Sequence, residues 1–191
     1  MEPGGHRCLL STSTFVLDKC FWPTTQPIPE GTCAIYWLCS REDGELCCQR
    51  NPLDWVSEDA LHHSDVVLRL CILNGALKLS EDMREESVSR VGTKLLMDDD
   101  MVRIWSFSLG PGEQSDFHEH KVPYMFVNLP TGKGSSLTQE INGGGDLVST
   151  PRQQGDWEVV SMGRGPFCAH ALRNIGEGKF LQFVVEFLAH D

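Results

Sequence analysis

No apolar run in this 191-residue chain approaches the roughly 20 residues that a membrane-crossing helix requires. Its first residues, Met1-Glu2-Pro3-Gly4-Gly5-His6-Arg7, lead into serine- and threonine-broken sequence rather than a secretory hydrophobic region. The expectation is a cytoplasmic protein without a membrane partner. Basic residues are scarce: 16 Lys and Arg against 27 Asp and Glu leave a formal net charge of −11. Such a surface repels phosphate backbones and anionic lipid, so nucleic acid is not an expected partner. Paired C-x-x-C spacing is absent despite eight cysteines, which removes the usual signature of a thiolate zinc site. Gly143-Gly144-Gly145 lacks the strand-to-helix context and the following Lys-Ser/Thr of a phosphate loop. Repeats and low-complexity tracts are also missing.

What is present is an ordinary globular composition, 40% hydrophobic and 23% charged. The length suffices for one good core, or one domain with an elaborate extension. Seven of the cysteines fall within the first 71 residues. In a reducing compartment they are read as buried thiols behaving as small hydrophobes.

The texture changes near residue 90. Residues 1 to about 32, with Pro23, Pro27 and Pro29, read as irregular or edge structure. Cys33 to Cys39 reads as a buried strand, with Glu45 to Gln49 returning as its hairpin partner after Arg41-Glu42-Asp43-Gly44. Pro52 to His63 has the capping and charge pattern of a short helix. Val66 to Leu73, followed by Asn74-Gly75, predicts a hairpin returning through Ala76 to Leu79, with a helix ending at Gly75 as the alternative. Ser80 to Arg90 is polar enough for a linking helix or an exposed connector. Beyond Gly92, strands alternate with glycine turns: Met101 to Leu109, Phe117 to Leu129, a Lys133 to Gln154 hairpin, Trp157 to Met162, His170 to Ile175 and Lys179 to Leu188. Short strands at this spacing predict a sandwich or barrel. The expected organisation is a mixed extension over residues 1–89, packed on a β-domain over 90–191 as one continuous fold.

The chemistry-bearing pattern is Phe117-His118-Glu119-His120, five residues after Gly112, with His170 later and Asn174 four residues beyond it. Alternate side chains of a strand leave one face, so His118 and His120 can present two imidazoles to one ion. His170 from a neighbouring strand would complete a facial triad. Imidazole suits zinc, copper, nickel and iron, so the pattern proposes a metal without naming it. The competing reading is a pair of surface histidines beside a turn.

From about residue 90 onward the chain resembles the cupins, small jelly-roll β-barrels also described as a double-stranded β-helix. Gly112, His118, His120 and Gly132 fit the first cupin motif. Gly155, Gly163, His170 and Asn174 fit the second, with Ser161 in place of a proline and four extra residues between Gly163 and His170. The glutamate of the first motif is missing: its place falls on Tyr124 or on Met125. Strand parity decides for Tyr124, which shares the face of His118, His120 and Val122, the inward face if the histidines bind metal. A neutral phenol is a poor ligand, so Tyr124 is expected to donate a hydrogen bond or touch substrate, or simply to fill the barrel.

The resemblance implies a mononuclear divalent metal on His118, His120 and His170. Lack of the glutamate is similar to the three-histidine iron cupins, among them thiol dioxygenases and the acetylacetone-cleaving dioxygenase. By that likeness the metal is Fe(II), with Zn, Mn or Ni as alternatives, and Tyr124 is the candidate catalytic residue beside a small-molecule substrate. Arg103, Arg164 and Arg173 are the candidates for anchoring it. The other reading is a non-enzymatic cupin, a ligand-binding or protein-interaction module. An epimerase-like barrel is disfavoured because neither a paired carboxylate nor a basic phosphate site stands out. Jelly-roll edges also raise the expectation of a homodimer. Cys168 (two residues before His170), Asp116 and Glu113 are secondary candidates near the site.

Overall fold

Val, Ile, Phe and Trp recur in strands such as Val102–Leu109 and Phe180–Phe187, and no helix occurs among the described residues. The computed structural model describes residues 7–11, 15–20, 27–41, 45–51, 64–73, 77–78, 90–129, 138–142, 157–160 and 168–190. The helix expected at 52–63, the connector at 80–89, and Gly132, Gly143 to Gly145, Gly155, Ser161, Gly163 and Arg164 lie outside them. Contacts divide the chain into two units, 1–77 with 189–191, and 78–188. No helix of the described residues is long and apolar enough to cross a membrane.

The first unit is a five-stranded antiparallel sheet of β1 (Arg7–Ser11), β2 (Phe15–Cys20), β3 (Thr32–Arg41), β4 (Leu46–Asn51) and β5 (Ser64–Leu73), in the order β1-β2-β5-β3-β4. The expected β3–β4 hairpin is present, pairing Ile35 with Asn51 through Ser40 with Leu46. Two expectations are corrected. The Pro- and Thr-rich beginning contains two paired strands, and β2 lies inside the sheet, where Leu17 is fully buried. The hairpin after β5 does not form: β5 is already hydrogen-bonded to β2 on one side and β3 on the other, so it has no edge to offer. The two-residue β6 (Leu77–Lys78) pairs instead with β15 (Ala189–His190).

The second unit carries two antiparallel sheets. The larger holds β7 (Lys94–Asp98), β8 (Val102–Leu109), β10 (Tyr124–Asn128), β12 (Trp157–Val160) and β14 (Phe180–Phe187), ordered β12-β10-β14-β8-β7; the smaller holds β9 (His118–His120), β11 (Thr138–Asn142) and β13 (Cys168–Asn174), ordered β11-β13-β9. The core brings Trp105, Phe107 and Leu109 from β8 together with Tyr124 and Phe126 from β10, Phe180 and Val184 from β14 and Leu172 from β13. Alternation along β8 puts Trp105, Phe107 and Leu109 on this one face. The opposite residues Val102, Ile104 and Ser106 are buried as well, as befits a central strand covered on both faces.

Two positions hold the barrel's local geometry. Gly112 sits in the turn before β9 at φ +79°, a left-handed conformation that glycine alone adopts without cost. Its N–H donates to the Asn174 carbonyl at 2.9 Å, and the Asn174 N–H returns to Glu113 O at 2.8 Å. The buried Asn174 side chain donates to Leu109 O at 3.0 Å and Gly178 O at 2.8 Å, and its Oδ1 accepts from Gly176 N–H. Asn174 thus joins the turn that leads into the histidine strand to the turn that follows the third histidine. Gly92 is glycine for a packing reason: a Cβ there would stand 2.6 Å from Trp105 Cβ and 2.9 Å from Ser106 O.

Candidate metal centre

The three histidines meet inside the second unit. β9 pairs with β13 so that His118 lies opposite His170, while His120, two residues on, leaves the same face. Ser115 fixes that register just outside the strand, its N–H donating to Leu172 O at 2.8 Å and its hydroxyl accepting from Leu172 N–H at 3.0 Å. All three imidazoles are buried, with 6%, 1% and 8% exposure for His118, His120 and His170. Ring centroids lie 4.7 to 5.2 Å apart and the ring planes cross at 71–83°. The rings therefore fan around a common point, and their candidate ligand nitrogens all fall within 4.8 Å of one another.

These nitrogens suit a metal ion. His120 Nε2 and His170 Nε2 are 3.2 Å apart. Two nitrogens each about 2.0–2.1 Å from one ion, at angles near 90–110°, stand about 2.8–3.4 Å from each other. His118 Nδ1 lies 3.0 Å from the Asp116 carbonyl, so an Nδ1–H donated there leaves the Nε2 lone pair for an ion. Burial, followed by the neighbouring His118 and His170, lowers the pKa of His120 from 6.5 to about 2. It stays neutral, the form in which imidazole binds metal. His120 Nδ1 is buried without a hydrogen bond; the ring is steadied instead by Tyr124, stacked on it at 3.6 Å between centroids and 9° between planes.

Tyr124 reaches that position by a route the parity reasoning did not follow. Phe117 to Leu129 is not one strand. β9 ends at His120, Pro123 has no N–H for a ladder, and β10 opens at Tyr124 in the other sheet. The phenol comes from the larger sheet and lies flat over a histidine of the smaller one. Of the two positions left open by the missing glutamate, Tyr124 is the one in contact with the triad.

The other candidates are distributed differently. Asp116 does orient His118, but through its backbone carbonyl rather than its carboxylate. Glu113 caps the turn, accepting from Gly110 N–H at 2.6 Å. Glu119 and Lys121 are half-buried. Cys168 opens β13 in register with His120. Arg173 is exposed. Arg103 is no surface anchor: it is 1% exposed, paired with Glu186 at 3.3 Å and Asp98 at 3.6 Å.

Glu186 is the residue that sequence reasoning missed. It is fully buried on β14, in register with Arg103 on one side and Tyr124 on the other. Its Oε2 accepts from Trp105 Nε1 at 3.0 Å and from Arg103 at 3.3 Å, while Oε1 is buried without a hydrogen bond. Burial raises its pKa from 4.5 to about 7, outweighing the opposing pull of the Trp105 hydrogen bond and of Arg103. The available signal was a lone acid inside the apolar strand Phe180–Phe187, facing a lone arginine inside the apolar strand Val102–Leu109. Charged residues are seldom fully buried unless paired.

Space around the triad is uneven. The chamber lined by the three histidines, Tyr124 and Gln182 has about 10 Å³, room for one water or one ion. A cavity of about 150 Å³ shares Phe107 and His118 with it and is rimmed by Arg90, Thr93, Gln114 and Asp116.

Two facing antiparallel sheets, with a His-x-His strand and a third histidine on its neighbour, decide the architecture. The fold is a cupin jelly roll. No family model matches the chain, and no curated protein matches it. Solved structures similar to it include a cupin domain from Bordetella pertussis, 19% identical over 49% of this chain and 88% of that one, with a TM-score of 0.39. A cupin 2 conserved barrel domain protein from Leptotrichia buccalis is 11% identical over 97% of this chain and 89% of that one, with a TM-score of 0.46. An oxalate oxidase in complex with the substrate analogue glycolate is 18% identical over 87% of this chain and 78% of that one, with a TM-score of 0.37. All three are likenesses at low identity.

Proposed function

We propose that this cupin is a mononuclear metalloenzyme acting on a small molecule, with a divalent ion, Fe(II) in the favoured form, held by His118, His120 and His170. The observation that carries the reading is the group of three buried imidazoles whose ligand nitrogens lie within 4.8 Å of one another. Three protein ligands leave coordination positions for water, substrate or dioxygen. When bound, Fe(II) would supply dioxygen chemistry, and zinc, manganese or nickel would supply Lewis acidity instead.

The chain's own groups divide the remaining work. The Asp116 carbonyl orients His118, and Tyr124 holds the plane of His120. Phe107, Phe126 and Leu172 exclude bulk water from the chamber. The neighbouring cavity of about 150 Å³, with His118 in its wall, is where a substrate larger than water would lie. Arg90 at its rim is a better-placed cation for that role than Arg103, whose buried guanidinium already contacts Asp98 and Glu186.

A second reading keeps the metal and drops the catalysis. The chamber of about 10 Å³ admits no substrate beside an ion unless side chains shift, which suits a structural metal in a ligand-binding or protein-interaction module. Elemental analysis of protein purified without a histidine tag tests the metal site that both readings share. Near-stoichiometric metal, lost in the His118→Ala/His120→Ala double variant, is expected; metal retained by that variant would refute the triad. Oxygen uptake by the Fe(II)-loaded protein with a panel of small thiols then tests the dioxygenase reading, and a flat trace across the panel counts against it.

A further inference from the structure

The sheet of the first unit sets two thiols face to face. Cys39 on β3 registers directly against Cys47 on β4, and the Cys47 thiol donates to the Cys39 carbonyl at 3.7 Å. Both are reduced, and both belong to the apolar cluster of Ile35, Trp37, Val67 and Cys71. Directly opposed residues of antiparallel strands have Cα atoms about 4.5 or 5.5 Å apart, inside the roughly 4.4–6.8 Å window that a disulfide spans. The other thiols are not so placed. Cys48 lies opposite Leu38, Cys71 opposite Ile35 and Val16, and Cys20 opposite Val67. Among the described residues, Cys39 and Cys47 are the one directly opposed cysteine pair.

We propose that Cys39 and Cys47 are a thiol-redox site, closing a reversible cross-strand disulfide when a low-molecular-weight disulfide is available as oxidant. Cys47 is half-buried on the sheet's edge strand, whereas Cys39 is 3% exposed, so Cys47 is the thiol that an oxidant reaches. Its thiolate attacks one sulfur of the oxidant, forming a mixed disulfide and expelling one thiolate. Cys39 then gives up its proton and attacks the Cys47 sulfur, which closes the protein bridge and expels the second thiolate. The two protein thiols lose two electrons and two protons, and the oxidant leaves as two thiols. Cβ atoms of opposed residues are about 4.5–5.5 Å apart, more than the roughly 3.8 Å preferred by a disulfide. The bridge therefore draws the strands together under strain, which makes it readily reduced again. Among the described residues β4 pairs with β3 alone, at the end of the order β1-β2-β5-β3-β4, so the bridge locks that edge of the sheet. This site is independent of the histidine triad.

The test equilibrates the full chain in mixtures of oxidised and reduced glutathione, quenches with acid, alkylates, and maps the peptides by mass spectrometry. A Cys39–Cys47 cross-link about 2 Da lighter than its two thiols is expected to grow with the oxidised fraction and to vanish on adding dithiothreitol. It should be lost in Cys47→Ser and kept in Cys48→Ser, with circular dichroism showing that both variants fold. Complete alkylation of Cys39 and Cys47 in the most oxidising mixture would overturn the proposal. So would Cys47 found only as a stable glutathione adduct, or bonded to another cysteine. The wild-type map decides the matter even if a variant folds poorly.

Discussion

Replacing Glu186 by glutamine should make the protein more stable at pH 8 while changing little at pH 5. The carboxyl is fully buried, its Oε1 lacks a hydrogen bond, and burial raises its pKa from 4.5 to about 7. A group whose folded pKa lies above its unfolded value holds its proton more tightly when folded, so folding is favoured where the group is protonated in both states. That contribution is fully present below about pH 4.5. It declines as pH rises and is exhausted once pH passes the folded value near 7. A rise from 4.5 to about 7, at about 1.4 kcal/mol per tenfold, corresponds to roughly 3 kcal/mol of stability lost between pH 4.5 and 7. Glutamine keeps an oxygen to accept from Trp105 and Arg103 but cannot ionise, so Glu186→Gln should escape this loss. Urea unfolding of both proteins at pH 5 and pH 8, followed by tryptophan fluorescence, measures the difference, and comparison at matched pH cancels the histidines and other carboxylates. The expected result is near-equal midpoints at pH 5 and a variant more stable by up to about 3 kcal/mol at pH 8. A variant weakened more at pH 8 than at pH 5 would refute the reasoning, because it would mean that Glu186 is ionised in the fold and held by Arg103.

Three further outcomes are expected. Gly92→Ala should cost about 1–3 kcal/mol, since its Cβ would meet Trp105 and Ser106 at under 3 Å; thermal melts would register it as a lowered midpoint. Tyr124→Phe keeps the ring on His120 and should bind metal as the wild type does, whereas Tyr124→Ala removes a buried ring at a cost of about 3–5 kcal/mol. A metal titration of both variants would expose any direct ligand role for the phenol, as a loss of affinity in Tyr124→Phe. Zinc or anaerobic Fe(II), at a hundred times its dissociation constant, should add about 2.7 kcal/mol to wild-type stability. The corresponding shift in melting temperature should be absent from His118→Ala/His120→Ala.

The strand-rich fold class and part of the candidate site were legible in the sequence. His118 and His120 announced a shared face through spacing alone, and Asn174 belonged to a motif whose physical reason appears only in the hydrogen bonds that bind two turns together. Tyr124 does stack on His120, but not for the reason of strand parity, because Pro123 separates two strands lying in different sheets. Asn74-Gly75 is a strong local hairpin signal, yet β5 had no vacant edge for a returning strand. Alternation along β8 puts Arg103 on the face of Trp105, Phe107 and Leu109. It could not say that Glu186 would stand opposite, because that pairing joins residues 83 positions apart.

Local chemistry determined the strand-rich character, the turn at Gly112 and the capacity of His118-x-His120 to present two nitrogens together. These depend on backbone geometry and side-chain alternation, which neighbouring residues settle among themselves. Tertiary structure alone decided the rest. It brought His170 from fifty residues away to 3.2 Å from His120, laid Tyr124 on the ring, and enclosed Glu186 with Arg103. It also left about 10 Å³ at the triad beside a cavity of about 150 Å³. Register between distant strands and the volume left by packed side chains are properties of the assembled barrel, set by which sheet edges remain to be paired and which side chains then compete for the interior.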